Sequence, residues 1–162
     1  MTFPTVGRHI RINSPGAGGW IMGEVGGVFR PECDHSIANF NELGEILGGF
    51  ALTGYTSRTM VVHMAGRDPT WCSRDLLWML FDYAFHQVKV AKVLATVSTG
   101  NPKAIALDMR AGFRVVAMVP EVYEDGDMLI LSMDAAHCKW LNLKSNNYCR
   151  SDNGKEFYAS RA

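Results

Sequence analysis

The sequence has little that would mark a metal centre, a membrane span or a nucleic-acid binder. Its four cysteines, Cys33, Cys72, Cys138 and Cys149, form no C-x-x-C pair and have no histidine-rich spacing beside them. That argues against zinc or any other metal and for free thiols in a reducing compartment. No apolar run reaches the ~18 residues of a membrane helix. Residues 1–13 lack the apolar centre of a signal peptide, so the expectation is a cytoplasmic protein with no membrane partner. Sixteen basic residues are matched by sixteen acidic ones. The resulting zero net charge provides no global basic field to draw in nucleic acid. The Gly-rich stretch Ser14 to Gly19 is followed by no Lys-Ser or Lys-Thr, so it is not a phosphate loop of that type.

What is present is centred on Thr59 to Phe113. Thr59 to Ala65 is an apolar strand. A loop then opens a long helix from about Trp71 to Gln87, with Leu76, Leu77, Leu80, Phe81, Ala84 and Val88 at helical spacing. Lys92 to Val97 is a second apolar strand, so two parallel strands joined by a right-handed helical crossover are expected. Asn101-Pro102 opens a short helix, proline being favoured in the first turn, and Gly112 closes it. Ala104, Leu107 and Ala111 are its expected inner face.

The flanks read as antiparallel. Arg8 to Ile12 alternates like a strand, and Trp20 to Phe29 has the pattern of a short helix weakened by its glycines. Ser36 to Asn41 and Glu45 to Leu52 form a hairpin, with Gly48-Gly49 suggesting a bulge or a close backbone approach. Arg114 to Val119 and Met128 to Met133 form a closing hairpin, whose edge offers a surface for a homodimer. A helix is expected over Asp134 to Leu141, with Cys138, Trp140 and Leu141 inward. The division is therefore residues 1–19 as a strand and Gly-rich segment, 20–141 as one domain, and 142–162 as a polar, flexible tail.

Three segments carry a resemblance. They are Asn41 to Gly49, then Asn101-Pro102-Lys103-Ala104-Ile105-Ala106-Leu107 with Gly112-Phe113, and Tyr123 to Met133. In this order and spacing the chain resembles the Gcn5-related N-acetyltransferase (GNAT) superfamily, most like the short members found in phage genomes. The resemblance implies an α+β fold. Its central sheet would be mostly antiparallel and splayed, with one parallel strand pair and helices on both faces. It also implies acetyl-CoA as acyl donor, an amine as acceptor, and direct attack without a covalent enzyme intermediate. Met64 and Ala65 would then pair through their backbone with pantetheine, Asn101 would touch the cofactor, and the pyrophosphate would sit at the start of the long helix.

The chain departs from that family at two places. Its phosphate signature, Arg/Gln-x-x-Gly-x-Gly/Ala, is replaced by Asp68, Trp71 and Ser73 at the key positions. Asp68-Pro69 reads as a helix cap that competes with phosphate for the same amides. Arg67, Ser73 and Arg74 are the residues of an altered cofactor loop, with Trp71 within it. The family's acid tyrosine is replaced by Asp108, read as a solvated helix residue, deprotonated at pH 7 and unable to donate a proton. Ser98 or a water would take that place. His63 is the candidate base, or a half-buried strand histidine; Glu42 is a weaker one. Tyr123 borders the acceptor, or is an exposed aromatic. The acidic residues Glu121, Glu124, Asp125 and Asp127 attract a cationic acceptor, or solvate a turn. The function expected is N-acetyl transfer. Its rival is a degenerate GNAT-fold binding module, for instance a phage protein engaging a host or virion protein.

Overall fold

A computed structural model describes residues 9–142 and the backbones of two further strands, Tyr148–Arg150 and Phe157–Ala159. The elements in chain order begin with β1 (His9–Ile12), α1 (Ala17–Glu24), β2 (His35–Phe40), β3 (Ile46–Thr53) and β4 (Thr59–Gly66). They continue with α2 (Arg74–Asp82), β5 (Lys92–Ser98), α3 (Pro102–Ala111), β6 (Arg114–Tyr123) and β7 (Gly126–Asp134). The seven strands form one sheet in the order β1-β2-β3-β4-β5-β7-β6. Every neighbouring pair is antiparallel except β4 and β5. That pair is parallel because α2 carries the chain back between them. The α+β class, the single parallel pair and helices on both faces are as expected.

Alternation in the strands sends Phe50, Leu52, Met60 and Val62 to one face, where they pack with Leu76, Leu80 and Phe81 of α2 and with Phe113. The opposite face carries Ala38, Phe40 and Ala51, covered by Ile21 and Met22 of α1. Helix α1 starts three residues earlier than the pattern suggests and ends at Glu24. Gly18, in that first turn, is a close-packing position. A Cβ there would lie 2.3 Å from the Phe29 ring, so the apparent breaker is the contact that lets the following loop fold back over the helix.

Ser73 caps α2, its Oγ accepting from Leu76 N at 3.1 Å. Beyond Asp82 the helix widens into a π-helical turn, Tyr83–Val88, which closes at Lys89 in the left-handed region. Helix α3 has the expected ends: Asn101 Oδ1 accepts from Ala104 N, and Gly112 adopts φ 98°. The helix expected after β7 is instead two 3₁₀ turns, Ala135–His137 and Lys139–Asn142, split at Cys138, whose ψ of 101° is extended. Cys138 is nonetheless buried, and Trp140 and Leu141 pack on the core. Within the stretch read as a tail, Tyr148–Arg150 and Phe157–Ala159 pair antiparallel; residues 143–147, 151–156 and 160–162 lie outside the described residues, as do 1–8.

Leu47 is the extra residue of a bulge in β3: Asn39 faces Gly48 while Phe40 faces Ile46. Its carbonyl accepts from both Arg67 N and Asp68 N. The adjoining glycines make room for one side chain. A Cβ on Gly66 would meet the Trp71 indole at 2.0 Å, and one on Gly48 would meet it at 2.6 Å. Gly66→Ala is therefore expected to destabilise the fold by roughly 1–3 kcal/mol through overpacking. Gly23→Ala, on α1 with nothing within 4 Å of the added carbon, is expected to stabilise it by roughly 0.5–1 kcal/mol. Urea denaturation of both variants checks the pair.

Candidate active site

The sheet opens between its two parallel strands. Strand β4 pairs with β5 from Thr59↔Lys92 to Val62↔Ala95 and no further. It keeps pairing with β3 as far as Gly66↔Gly48, while β5 keeps pairing with β7 as far as Ser98↔Met128. From His63 to Gly66, then, one edge of β4 faces a gap. Backbone groups there have no strand partner on that side and can receive an extended chain as an added strand. Met64 and Ala65 lie along this edge, Met64 against the α2 core and Ala65 against the α1 side.

His63 is the first β4 residue beyond the last β4–β5 pair, so it sits where the gap closes. Its Nε2 lies 3.0 Å from Thr53 Oγ1. In the tautomer that donates from Nε2 to Thr53, Nδ1 holds a lone pair for a proton. Burial pushes the His63 pKa below its ordinary value, and the Asp34 carboxylate partly offsets this. At neutral pH the ring is therefore an uncharged base.

The loop from Arg67 to Ser73 is built differently from the sequence expectation. Asp68 does not cap α2. Its Oδ1 accepts from Thr70 N at 2.7 Å and from Thr70 Oγ1 at 2.6 Å, closing a tight turn five residues before the helix cap. Ser73 takes the cap instead, and a long-range contact holds it there. Asn39, buried in β2, donates from Nδ2 to Trp71 O at 2.7 Å and to Ser73 Oγ at 3.3 Å, fixing Ser73 at the helix entry. Trp71 turns inward, 5.2 Å between its ring centroid and that of Phe50. Large as it is, it lies over the two strand glycines and not outside the loop. Asp68 Oδ1 is thus committed to Thr70 while Ser73 holds the cap of α2, and Asp75 stands in the first turn. Arg67 and Arg74 are exposed beside the start of α2, with the Arg67 guanidinium 5.1 Å from the Trp20 ring centre. A helix entry with flanking guanidiniums suits an anionic group.

The remaining candidates are dispersed. Asn101 caps α3, at the end of the loop that follows β5. Ser98 donates from Oγ to Asp125 Oδ1 at 2.6 Å and accepts from Gly100 N, tying β5 to the β6–β7 turn. Asp127 accepts from Glu121 N in the same turn, so two members of the acidic cluster hold local structure. Tyr123 ends β6, exposed. Glu42 is exposed in the β2–β3 turn. Cys72 is no nucleophile: burial pushes its thiol up to about 11, with Arg110 a smaller opposing influence. Cys33, Cys72 and Cys138 are unpaired, and among the described residues no His, Cys, Asp and Glu side chains cluster as a metal site would require.

Asp108 overturns its sequence reading. It is only 2% exposed, its Oδ1 has no hydrogen-bond partner among the described residues, and burial pushes its pKa up to about 6. It lies on the inner face of α3 with Ala104 and Ala111.

No family model matches the chain, and no curated protein does. Solved structures do match. The Vibrio cholerae spermidine/spermine N-acetyltransferase in complex with manganese ions aligns at TM-score 0.60 and 15% identity, over 79% of this chain and 92% of that one. The V. cholerae spermidine N-acetyltransferase in complex with CoA and spermine aligns at 0.56 and 19%, over 68% and 69%. Its dodecameric form in an intermediate state aligns at 0.56 and 20%, over 70% of each chain. The chain has a GNAT-like fold. At these identities the likeness speaks to architecture, and activity has to be argued from the site. No helix among the described residues is long and apolar enough to cross a membrane.

Proposed function

We propose that the protein is an acyl-CoA-dependent N-acyltransferase, using acetyl-CoA and an amine acceptor. The observation that carries this reading is the β4–β5 gap, with an unpaired β4 edge running from His63 towards the entry of α2. Pantetheine is an extended chain of two amides, and it would pair with the backbone of Met64 and Ala65 in that gap. The pyrophosphate would lie at the amides of α2, with Ser73, Arg67 and Arg74 around it, while Asn101 would touch the cofactor from the start of α3 and Trp71 would support the loop from beneath. The acyl carbonyl would then reach the closed end of the gap, beside His63.

The chemistry is one displacement. The acceptor nitrogen gives up a proton to His63 and attacks the thioester carbonyl. The C–N bond forms, the C–S bond breaks, and the thiolate leaves as CoA, taking a proton from solvent or from a group at the gap. The high thiol pKa of Cys72 favours this direct route over an acyl-cysteine. Fold likeness to polyamine acetyltransferases supports an amine as acceptor.

Calorimetric titration of acetyl-CoA tests the reading. Micromolar binding is expected for the wild type, and at least tenfold weaker binding for Arg74→Ala, since a charge-assisted contact contributes roughly 1.5–3 kcal/mol. The alternative is a GNAT-fold binding module, a phage protein engaging a host or virion protein for instance, and it draws on the absence of glycines from the cofactor loop. Absence of binding by the wild type would favour it.

A further inference from the structure

The two edges of the sheet are built differently. At one edge β1 is four residues long and alternates buried Ile10 and Ile12 with His9 and Arg11. At the other edge β6 is ten residues long and exposed throughout. Residues 115–120 of it carry no charge. Six of the eleven exposed large apolar residues among the described ones lie on this strand: Val115, Val116, Met118, Val119, Val122 and Tyr123. Scattered apolar residues are ordinary on a monomer, but a contiguous strip of them marks an interaction surface. A long apolar edge without lysine is also what soluble proteins avoid leaving open.

Both faces of β6 are bare. Val115 and Met118 lie opposite Leu131 and Leu129, which pack with the core beneath α2 and α3. Val119 lies opposite Met128 on the other face. Val115 and Met118 are nevertheless 48% and 56% exposed, so α3 does not reach over the edge strand. A body laid flat on one face would leave the other open, whereas a strand set beside β6 flanks both. The charges say which strand. Arg114 begins β6 and Glu121 lies near its end, and neither side chain has a hydrogen bond or ion pair among the described residues. They stand roughly 20 Å apart along the strand. A parallel neighbour of the same sequence would set like charges together. An antiparallel one, related by a two-fold axis, sets each arginine beside the other copy's glutamate and the apolar strip against itself, as an isologous interface requires.

We propose that two copies of this chain dock through β6, edge to edge and antiparallel, with their strips of residues 115–119 in contact and an Arg114–Glu121 ion pair closing each end. Val116 is the extra residue of a bulge, and Pro120 has no N–H to give, so few backbone bonds cross this edge and the side chains carry the contact. Glu121 is held at φ 58° by the bond from its N–H to Asp127 Oδ1, which fixes the acidic end of the strip. Strands β7 and β5 separate β6 from the gap, so each copy keeps a gap of its own and the docking is independent of what the gap binds.

Sedimentation velocity of the full chain tests this. The wild type is expected to sediment at twice the 17.9 kDa chain mass, with a dimer Kd of about 10 µM or tighter. Val116→Lys puts a charge into each strip close to the two-fold axis and is expected to weaken the dimer by about tenfold or more. Val116 is 58% exposed, so the monomer tolerates the change and its circular dichroism should stay the same. Arg114→Glu and Glu121→Arg each set like charges together at both ends and are each expected to weaken the dimer about tenfold. The two reversals combined restore opposite charges and should return Kd to within about threefold of the wild type. A monomeric wild type overturns the proposal and leaves the strip to a different protein. A dimer indifferent to Val116→Lys overturns it too, because the copies then meet elsewhere. Single reversals without effect, or a double reversal that does not recover the dimer, overturn the antiparallel arrangement.

Discussion

Asp108→Asn is expected to stabilise the protein by up to roughly 3 kcal/mol at pH 7.5 and by only about 1 kcal/mol at pH 4.5. Asp108 is buried against the core side of α3 with one oxygen unpartnered, and burial lifts its pKa to about 6. In the unfolded chain the same carboxyl titrates near its ordinary value. Between the two values the folded protein holds a proton that the unfolded chain has released. Stability contributed by the raised pKa is therefore present at low pH and lost as pH rises through about 6. Asparagine has no proton to lose, so its advantage grows with pH. Guanidinium denaturation of both proteins at the two pH values measures this. A stability difference that does not change with pH, or that favours the wild type at pH 7.5, would refute it. The same titration bears on chemistry: a carboxyl with a pKa of about 6 retains its proton in a minority of molecules at pH 7, where a solvated one would hold essentially none.

How much of this was legible in the sequence varied with how local the cause is. The ends of α3 were, because Asn101, Pro102 and Gly112 act through their own backbone geometry. The parallel pair and its crossover were as well, since apolar periodicity and strand length determine both. The gap between β4 and β5 came from resemblance alone; no residue pattern marks where pairing stops. At the loop before α2, both Asp68 and Ser73 are residue types that cap helices well, and only Asn39 reaching from β2 decides for Ser73. A polar residue on the inward side of an apolar strand was the available signal. Trp71 looked incompatible with a glycine position because its size was read without Gly48 and Gly66, distant in sequence, which accommodate it. Asp108 sits one helical turn from Ala104, so spacing alone placed it inward; residue type overruled spacing, wrongly. The cavity of about 610 Å³ beside the start of β2 is lined mostly from residues 13–36, with Tyr55 and Val88 completing its wall, and no motif marks it.

His63→Gln is expected to lower kcat for acetyl transfer by roughly 10²–10³-fold, the usual contribution of a positioned base, while leaving acetyl-CoA affinity within about twofold. Glutamine retains a group able to bond Thr53 Oγ1 but cannot take a proton. The pH profile separates loss of a base from loss of structure. Burial lowers the His63 pKa, Asp34 offsetting it in part, so wild-type kcat/KM should hold level down to below the ordinary histidine range and fall only where the imidazole finally protonates. Titration of the acceptor amine gives a separate limb at higher pH. In His63→Gln the acid limb should vanish. The linked stability effect has a fixed sign: as pH falls below about 6.5 the unfolded chain protonates before the folded one, and stability declines. His35 adds to the same decline, since burial lowers its pKa too. Only the His63 share should disappear in the variant. A variant that keeps its rate within twofold, or loses rate with the acid limb intact, would make His63 a structural partner of Thr53 and leave the proton to another group at the gap.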